Sequence, residues 1–202
     1  MSIATLVLAA CSPGFVGAPR QLALEEGQPL VRLVSTAAIA SACDAVVVVT
    51  GGPRTDRVDA ALAGLDVVTL PNTRWIEGVA SSVRAGVAWA DAQGFDAVVI
   101  VAADRNRASA EHLDALVRLH RRVHATVATR HEGVLGLPAV FGRPSFRALM
   151  GLLGDRGPCE LVAASDAAVD WPRDVDAEQA PTRSGFRMAA AVRTTRGRTA
   201  RR

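Results

Sequence analysis

The sequence predicts a single α/β domain built on a doubly wound, mostly parallel sheet. Three observations carry that expectation. Four short apolar runs, each ended by a turn-forming or polar residue, alternate with stretches of helical periodicity. The length of 202 residues suffices for one full core and is short for two. The 50% of residues that are hydrophobic are mostly Ala, Val and Leu, with no Tyr and 4% aromatics, so the core must be packed from small aliphatic side chains. That suits a parallel sheet under Ala-rich helices.

The runs Ile3–Ala10, Ala45–Thr50, Val67–Leu70 and Ala97–Ala102 are nearly continuously hydrophobic, as strands buried on both faces are. Helices are expected over Pro29–Ala42, with Leu30, Leu33, Val34, Ala37 and Ala38 as the apolar positions, then over Arg57–Ala63 and Val79–Gln93. Another is expected over Ala110–Val123, where Leu113, Leu116, Val117 and His120 share one stripe. A strand at Ala125–Thr129, a Gly/Pro-rich run Gly133–Pro144, a helix near Ser145–Leu153 and a last strand around Ala167–Val175 complete the body. Residues 1–179 are expected to form the domain, and the Arg-, Thr- and Ala-rich residues 180–202 a disordered tail. The alternation implies right-handed crossovers, with ligands bound outside the carboxyl ends of the strands, here 11–20, 51–54, 71–78 and 103–106.

All 23 basic residues are Arg, and seven of them follow Ala180, where no acid occurs. The body therefore carries 16 basic against 20 acidic residues, and the tail sets the pI of 9.3. Without interleaved aromatics the tail offers nucleic acid only nonspecific, salt-sensitive contact, so nucleic acid is not an expected partner. Cys11, Cys43 and Cys159 are odd in number and form no C-x-x-C pair, which speaks against a disulfide framework or a zinc site. No apolar run approaches the roughly 20 residues a membrane span needs, and no basic leader precedes the first run, so a cytoplasmic location is expected. His112, His120, His124 and His131 form no catalytic constellation by spacing, and structural or surface roles are expected for them.

Chemistry concentrates at three of the strand ends. A loop that approaches a triphosphate needs small residues, aimed backbone N–H groups and a cation. The first loop supplies Ala9, Ala10, Cys11, Ser12 and Gly17, followed by Arg20. After the third run, Asn72, Trp75, Gly78, Ser81 and Ser82 lead into a helix: the glycine lets backbone approach a flat ring, and the serines can cap the helix or bond a nucleotide. After the fourth, Asp104 is placed to hold a Mg²⁺ that bridges phosphates; its alternative role is to cap the next helix.

These segments resemble a known family, the molybdenum-cofactor cytidylyltransferases and guanylyltransferases and their relatives. The family pattern L-A-A-G-x-S-x-R-x-G-x-P-K-Q-L aligns without a gap on Leu8 to Leu22, and N-x-x-W-x-x-G-x-x-x-S-(L/V)-x-x-G on Asn72 to Gly86. G-D-Q-P falls on Ala103 to Asn106, G-x-x-G-x-P-x-x-F on Gly133 to Phe141, L-x-G-D-x-G on Leu152 to Gly157, and the start of D-x-D-T-P-E-D on Asp174 to Asp176. The resemblance spans about residues 1–179 and implies a Rossmann-like sheet of the nucleotidyltransferase (GT-A-like) type. It implies transfer of a nucleotidyl group from CTP or GTP to a phosphorylated molybdopterin-type acceptor, with Mg²⁺ (or Mn²⁺) on Asp104 and Asp176, Arg20 acting on the phosphates, and a molybdoenzyme or its maturation protein as partner. Asn72, Gly78 and Ser82 are then expected beside the base and ribose. Cys11, Phe15 and Arg20 stand where the family has Gly, Arg and Lys, and these departures predict weak or absent transfer. Two other roles remain open: a non-catalytic nucleotide or cofactor binder, and an NAD(P)H-dependent oxidoreductase, against which the first loop lacks G-x-G-x-x-G.

Overall fold

The computed structural model describes residues 1–11, 19–104, 108–163 and 165–171. The strands are β1 (Ile3–Leu8), β2 (Leu24–Glu25), β3 (Gln28–Pro29), β4 (Ala45–Thr50), β5 (Val68–Pro71), β6 (Ala97–Ala102), β7 (Val127–His131), β8 (Val134–Gly142) and β9 (Ala167–Asp170). The helices are α1 (Leu30–Ala40), α2 (Thr55–Leu62), α3 (Val79–Ala92), α4 (Ala110–Val123), α5 (Phe146–Met150) and α6 (Cys159–Val162). Seven strands form one sheet in the order β5-β4-β1-β6-β8-β7-β9, and β2 and β3 pair as a small separate hairpin. Only β8 runs against the other strands of the large sheet: it is antiparallel to β6 and to β7, while β9 is parallel to β7. The α/β class and the mostly parallel, doubly wound sheet are as the sequence predicts.

Alternation along the strands divides the core into two layers. Ile3, Val7, Val46, Val48, Val99 and Val101 face α1, α2 and α4, whose Val31, Val34, Val58, Leu62, Leu113 and Leu116 cover them. Leu6, Leu8, Val47, Val49, Val98 and Ile100 face α3 and α5 through Val83, Val87, Phe146 and Leu149. Small side chains permit close approach here. A Cβ on Gly86 of α3 would lie 3.0 Å from Leu6 Cδ1 and 3.2 Å from Val49 Cγ2, so the helix backbone rests almost directly on the sheet.

The Gly/Pro-rich run 133–144, for which the sequence predicts no element, is mostly β8, an interior strand of the sheet. Proline is normally confined to edges or bulges, and Pro138 obeys the second option. The β7–β8 register shifts between Ala128 and Thr129, and the Pro138 carbonyl accepts a hydrogen bond from the Thr129 hydroxyl (2.6 Å). The helix expected near Ser145–Leu153 is shorter, because α5 closes at Gly151. The last strand is described only to Asp170, and the expected tail lies outside the described residues.

Thr129 also anchors a buried histidine. Its own proton goes to Pro138, so its oxygen accepts from His112 Nε2 at 2.8 Å, which fixes the tautomer with hydrogen on Nε2. The His112 ring packs on Trp171 with centroids 4.9 Å apart, and burial pushes its pKa down to about 4. A histidine in the unfolded chain titrates near 6.5, so protons favour unfolding below that value. The stabilisation is complete above pH 6.5, falls as pH drops towards 4, and changes no further below. Urea melts at pH 7 and pH 4.5 are expected to differ by roughly 2 kcal/mol from this group, and His112→Gln should flatten that slope. An equal slope in the variant would remove His112 as its cause.

Candidate active site at the sheet's switch point

The chain leaves β1 for β4 and β5 on one side and returns to β6 on the other. The reversal opens a crevice above the β1/β6 boundary, where doubly wound sheets bind ligands. Beyond β1 the ladder continues, with the Ala9 amide donating to Val49 O and the Cys11 amide to Gly51 O, both at 2.9 Å. Amides alternate in direction along a strand, so the Ala10 N–H faces β6, and among the described residues it has no backbone partner. Ala103 N donates to Leu8 O at 3.0 Å, and the register Leu8↔Ala102, carried on by two residues, sets Ala10 level with Asp104. Asp104 is half-buried, and among the described residues its carboxylate makes no hydrogen bond or ion pair. Among the described residues, an amide and a carboxylate without partners thus stand level at the carboxyl ends of β1 and β6. The capping alternative for Asp104 fails, because α4 starts at Ala110 and its cap is Ser109, whose hydroxyl accepts from His112 N.

The Cys11 side chain turns towards the end of β4. Its Sγ lies 3.5 Å from Pro53 O, and a Cβ on Gly52 would stand 2.9 Å from Cys11 Cβ. Gly52 has φ +98°, and its free face also meets Trp75, while a Cβ on the neighbouring Gly51 would lie 2.9 Å from Trp75 Cβ. The glycine pair therefore accommodates both a cysteine and a tryptophan. Gln21, 5% exposed, donates from Nε2 to Ala9 O at 3.0 Å and to Cys11 Sγ at 3.5 Å. Neither Gln21 nor Gly52 stood out as a site residue in the sequence, although Gln21 falls within the aligned loop pattern and two successive glycines at a strand end are a visible turn signal.

Asn72 and Ser82 are both buried. Asn72 Nδ2 donates to Ser81 Oγ (2.8 Å) and Ser82 Oγ (3.0 Å), and its Oδ1 accepts from the Arg74 amide. Ser81 Oγ donates to Gly78 O (2.8 Å), and α3 begins with no side-chain cap, so neither serine acts as one. The network locks 72–82 into one shape. Gly78, at φ +97°, is met by the carbonyl of Gly154, which also accepts from Ala80 N at 3.1 Å. Arg84 ties the same two segments together, donating to Leu152 O (2.6 Å) and pairing with Glu77 (3.0 Å). The two aligned patterns 72–86 and 152–157, separate in sequence, are therefore in contact.

Arg20 opens the 3-10 turn Arg20–Leu22 and is exposed, and among the described residues its side chain has no partner. Ser12, Gly17 and Asp176 lie outside the described residues. Among the described residues no three His, Cys, Asp or Glu side chains stand together as a ready cation site, and no helix is long and apolar enough to cross a membrane. The structure thus brings Ala9, Ala10, Cys11 and Asp104 to one crevice, with Gly78 and Ser82 in the segment that follows β5.

Comparison with known proteins places this geometry. A model of the MobA-like NTP transferase domain matches residues 5–169. Over 86 residues the chain is 35% identical to the purine catabolism protein PucB of Bacillus subtilis (strain 168), a stretch covering 43% of this chain and 41% of that relative. The fold is similar to that of Rv0371c from Mycobacterium tuberculosis H37Rv, crystallised in complex with manganese, at TM-score 0.70 and 23% identity over 87% of this chain and 94% of the other. It is also similar to 4-diphosphocytidyl-2C-methyl-D-erythritol synthase from Anaerococcus prevotii, at TM-score 0.63 and 12% identity over 84% and 86%. A match that takes in β1, the loop after it, the segment leading into α3 and the end of β6 shows that the chain belongs to the MobA-like NTP transferase domain family.

Proposed function

We propose that the protein is a nucleotidyltransferase that moves a nucleotidyl group from CTP or GTP to a phosphorylated, pterin-type small molecule, with residues 1–179 as the working unit and 180–202 as an appendage. The observation that carries this reading is the Ala10 amide level with the Asp104 carboxylate across the switch point, both without a partner among the described residues. In the transfer, an acceptor phosphate oxygen attacks the α-phosphorus and the bond to the pyrophosphate oxygen breaks. The Ala10 N–H donates to an α-phosphate oxygen, where charge grows, and Arg20, following the loop, meets the departing phosphates. The segment from Asn72 to Ser82, its shape locked by the Asn72 network and by Gly154, borders the base and ribose. Asp104, half-buried and without a partner among the described residues, fits a divalent cation that takes few protein oxygens, with Asp176 as its second carboxylate. Such a cation, when bound, neutralises charge on the phosphates. The manganese in the Rv0371c structure favours a divalent ion in this role.

Cys11 and Phe15, which stand where the family pattern has Gly and Arg, favour weak turnover, because a cation that would neutralise the phosphates is missing from the loop. Thermal-shift titration of the full chain, and of a chain ended after residue 179, with CTP, GTP, ATP and NAD(P)H, each with and without Mg²⁺ or Mn²⁺, tests the proposal. A ligand bound only by the folded state raises the melting temperature. Both chains are expected to respond alike to CTP or GTP, and only with the metal. A response to NAD(P)H alone would overturn the transferase reading in favour of a dinucleotide enzyme.

A further inference from the structure

The loop that follows β1 departs at Cys11 and returns at Pro19 and Arg20, and one buried side chain joins its two ends. Gln21 sits in the turn that bears Arg20, on the return limb, and its Nε2 reaches back to Ala9 O and Cys11 Sγ on the departing limb. The turn is itself fastened to the domain, because Leu22 packs on the core beside α1 and the amide of Leu30 donates to Ala23 O at 2.9 Å. The bond to Ala9 O holds the peptide plane that carries the Ala10 N–H and so orients that N–H towards β6, and the bond to Cys11 Sγ ties the side chain one residue further on. They also fix Arg20, one residue away, relative to that amide.

We propose that Gln21 is a positioning residue that closes the base of this loop and so aims the Ala10 amide and Arg20 at one phosphate group, an inference that rests on the nucleotidyltransferase reading for its ligand and on the geometry alone for the clamp. A buried amide must be hydrogen-bonded in any protein. What sets Gln21 apart from a merely satisfied core amide is that both its acceptors lie on the opposite limb of one loop. The bond to sulfur depends on Cys11, and glycine there would leave only the carbonyl of Ala9.

Cys11 serves as the reporter. With Cys43 and Cys159 replaced by Ser, the rate of Cys11 reaction with 5,5′-dithiobis(2-nitrobenzoate) measures how firmly the departing limb is held. Gln21→Met keeps the length and removes the donor, and Gln21→Glu sets a carboxylate against Ala9 O. Either variant is expected to raise the Cys11 rate at least tenfold, while Cys43, read in a chain lacking Cys11 and Cys159, keeps its rate. A Cys11 rate unchanged in the variant that folds, or an equal rise at Cys43, overturns the clamp. Titration with Mg²⁺ and CTP or GTP then separates the two readings. Tenfold weaker binding by a variant of unchanged melting temperature supports positioning, and equal affinity overturns it. If the unaltered chain binds neither triphosphate, the proposed function fails and the labelling rates alone judge the clamp.

Discussion

Gly78→Ala is expected to be among the most damaging single substitutions in this chain, costing about 3–5 kcal/mol by adding a conformational and a packing cost. At φ +97° and ψ 176° the backbone occupies a region that only glycine enters freely. A Cβ there would press on the carbonyl group of Gly154 and come within 2.6 Å of Asp155 Oδ1. The first is backbone, bonded to Ala80 N and held by Arg84 through Leu152, so it cannot yield cheaply. Gly154→Ala is the control: its φ is +60° but nothing lies within 4 Å of a Cβ, so about 1 kcal/mol is expected. Equal losses for the two variants in urea melts would show that the close approach is not what demands glycine at position 78. The same approach shapes the segment that borders the proposed base site, so a folded Gly78→Ala protein should also bind triphosphate poorly.

The second large effect concerns Asp104. Its carboxylate has no partner among the described residues and does not cap α4, so Asp104→Asn should move stability by no more than about 0.5 kcal/mol. Its expected effect is on ligand. Losing one charge-assisted contact weakens binding by roughly 1.5–3 kcal/mol, a factor of about ten to a hundred. The loss should appear only in the presence of Mg²⁺ or Mn²⁺, because the carboxylate would meet the metal and not the phosphates. Calorimetric titration with CTP and GTP, with and without the metal, reads this directly. A variant that loses affinity equally without metal would show that Asp104 contacts the nucleotide itself, and one that loses none would move the cation elsewhere.

Much of this architecture was legible in the chain. The unbroken apolar runs at β1, β4 and β6 identify strands buried on both faces, and the helical periods between them leave little room for other topologies. The expectation for α4 matches its bounds, because Leu113, Leu116 and Val117 share one stripe and Ser109 caps its first turn. By contrast β8 was hidden. Pro138 and Gly136 argue against a strand, and only the shifted register against β7 and the hydroxyl of Thr129 let proline sit inside the sheet. The hairpin of β2 and β3 is two residues on each side, too short for any period to register.

The division at the site follows the same physics. Residue type and order along the chain placed Ala10, Asp104 and the 72–86 segment at the ends of strands, because the end of an apolar run is local information. What no local pattern holds is which limb faces which. That the Cys11 side chain finds room over Gly52, that Gln21 reaches back across its loop, and that Gly154 closes on Gly78 each depend on atoms brought together from positions 10 to 76 residues apart. The chain by itself determined the parallel strands from β1 to β6 and the helices between them, and it pointed to their carboxyl ends as the place for a ligand. Only the tertiary structure decided which amides and carboxylates at those ends lack a partner among the described residues, since that depends on where each neighbour able to take a hydrogen bond comes to lie.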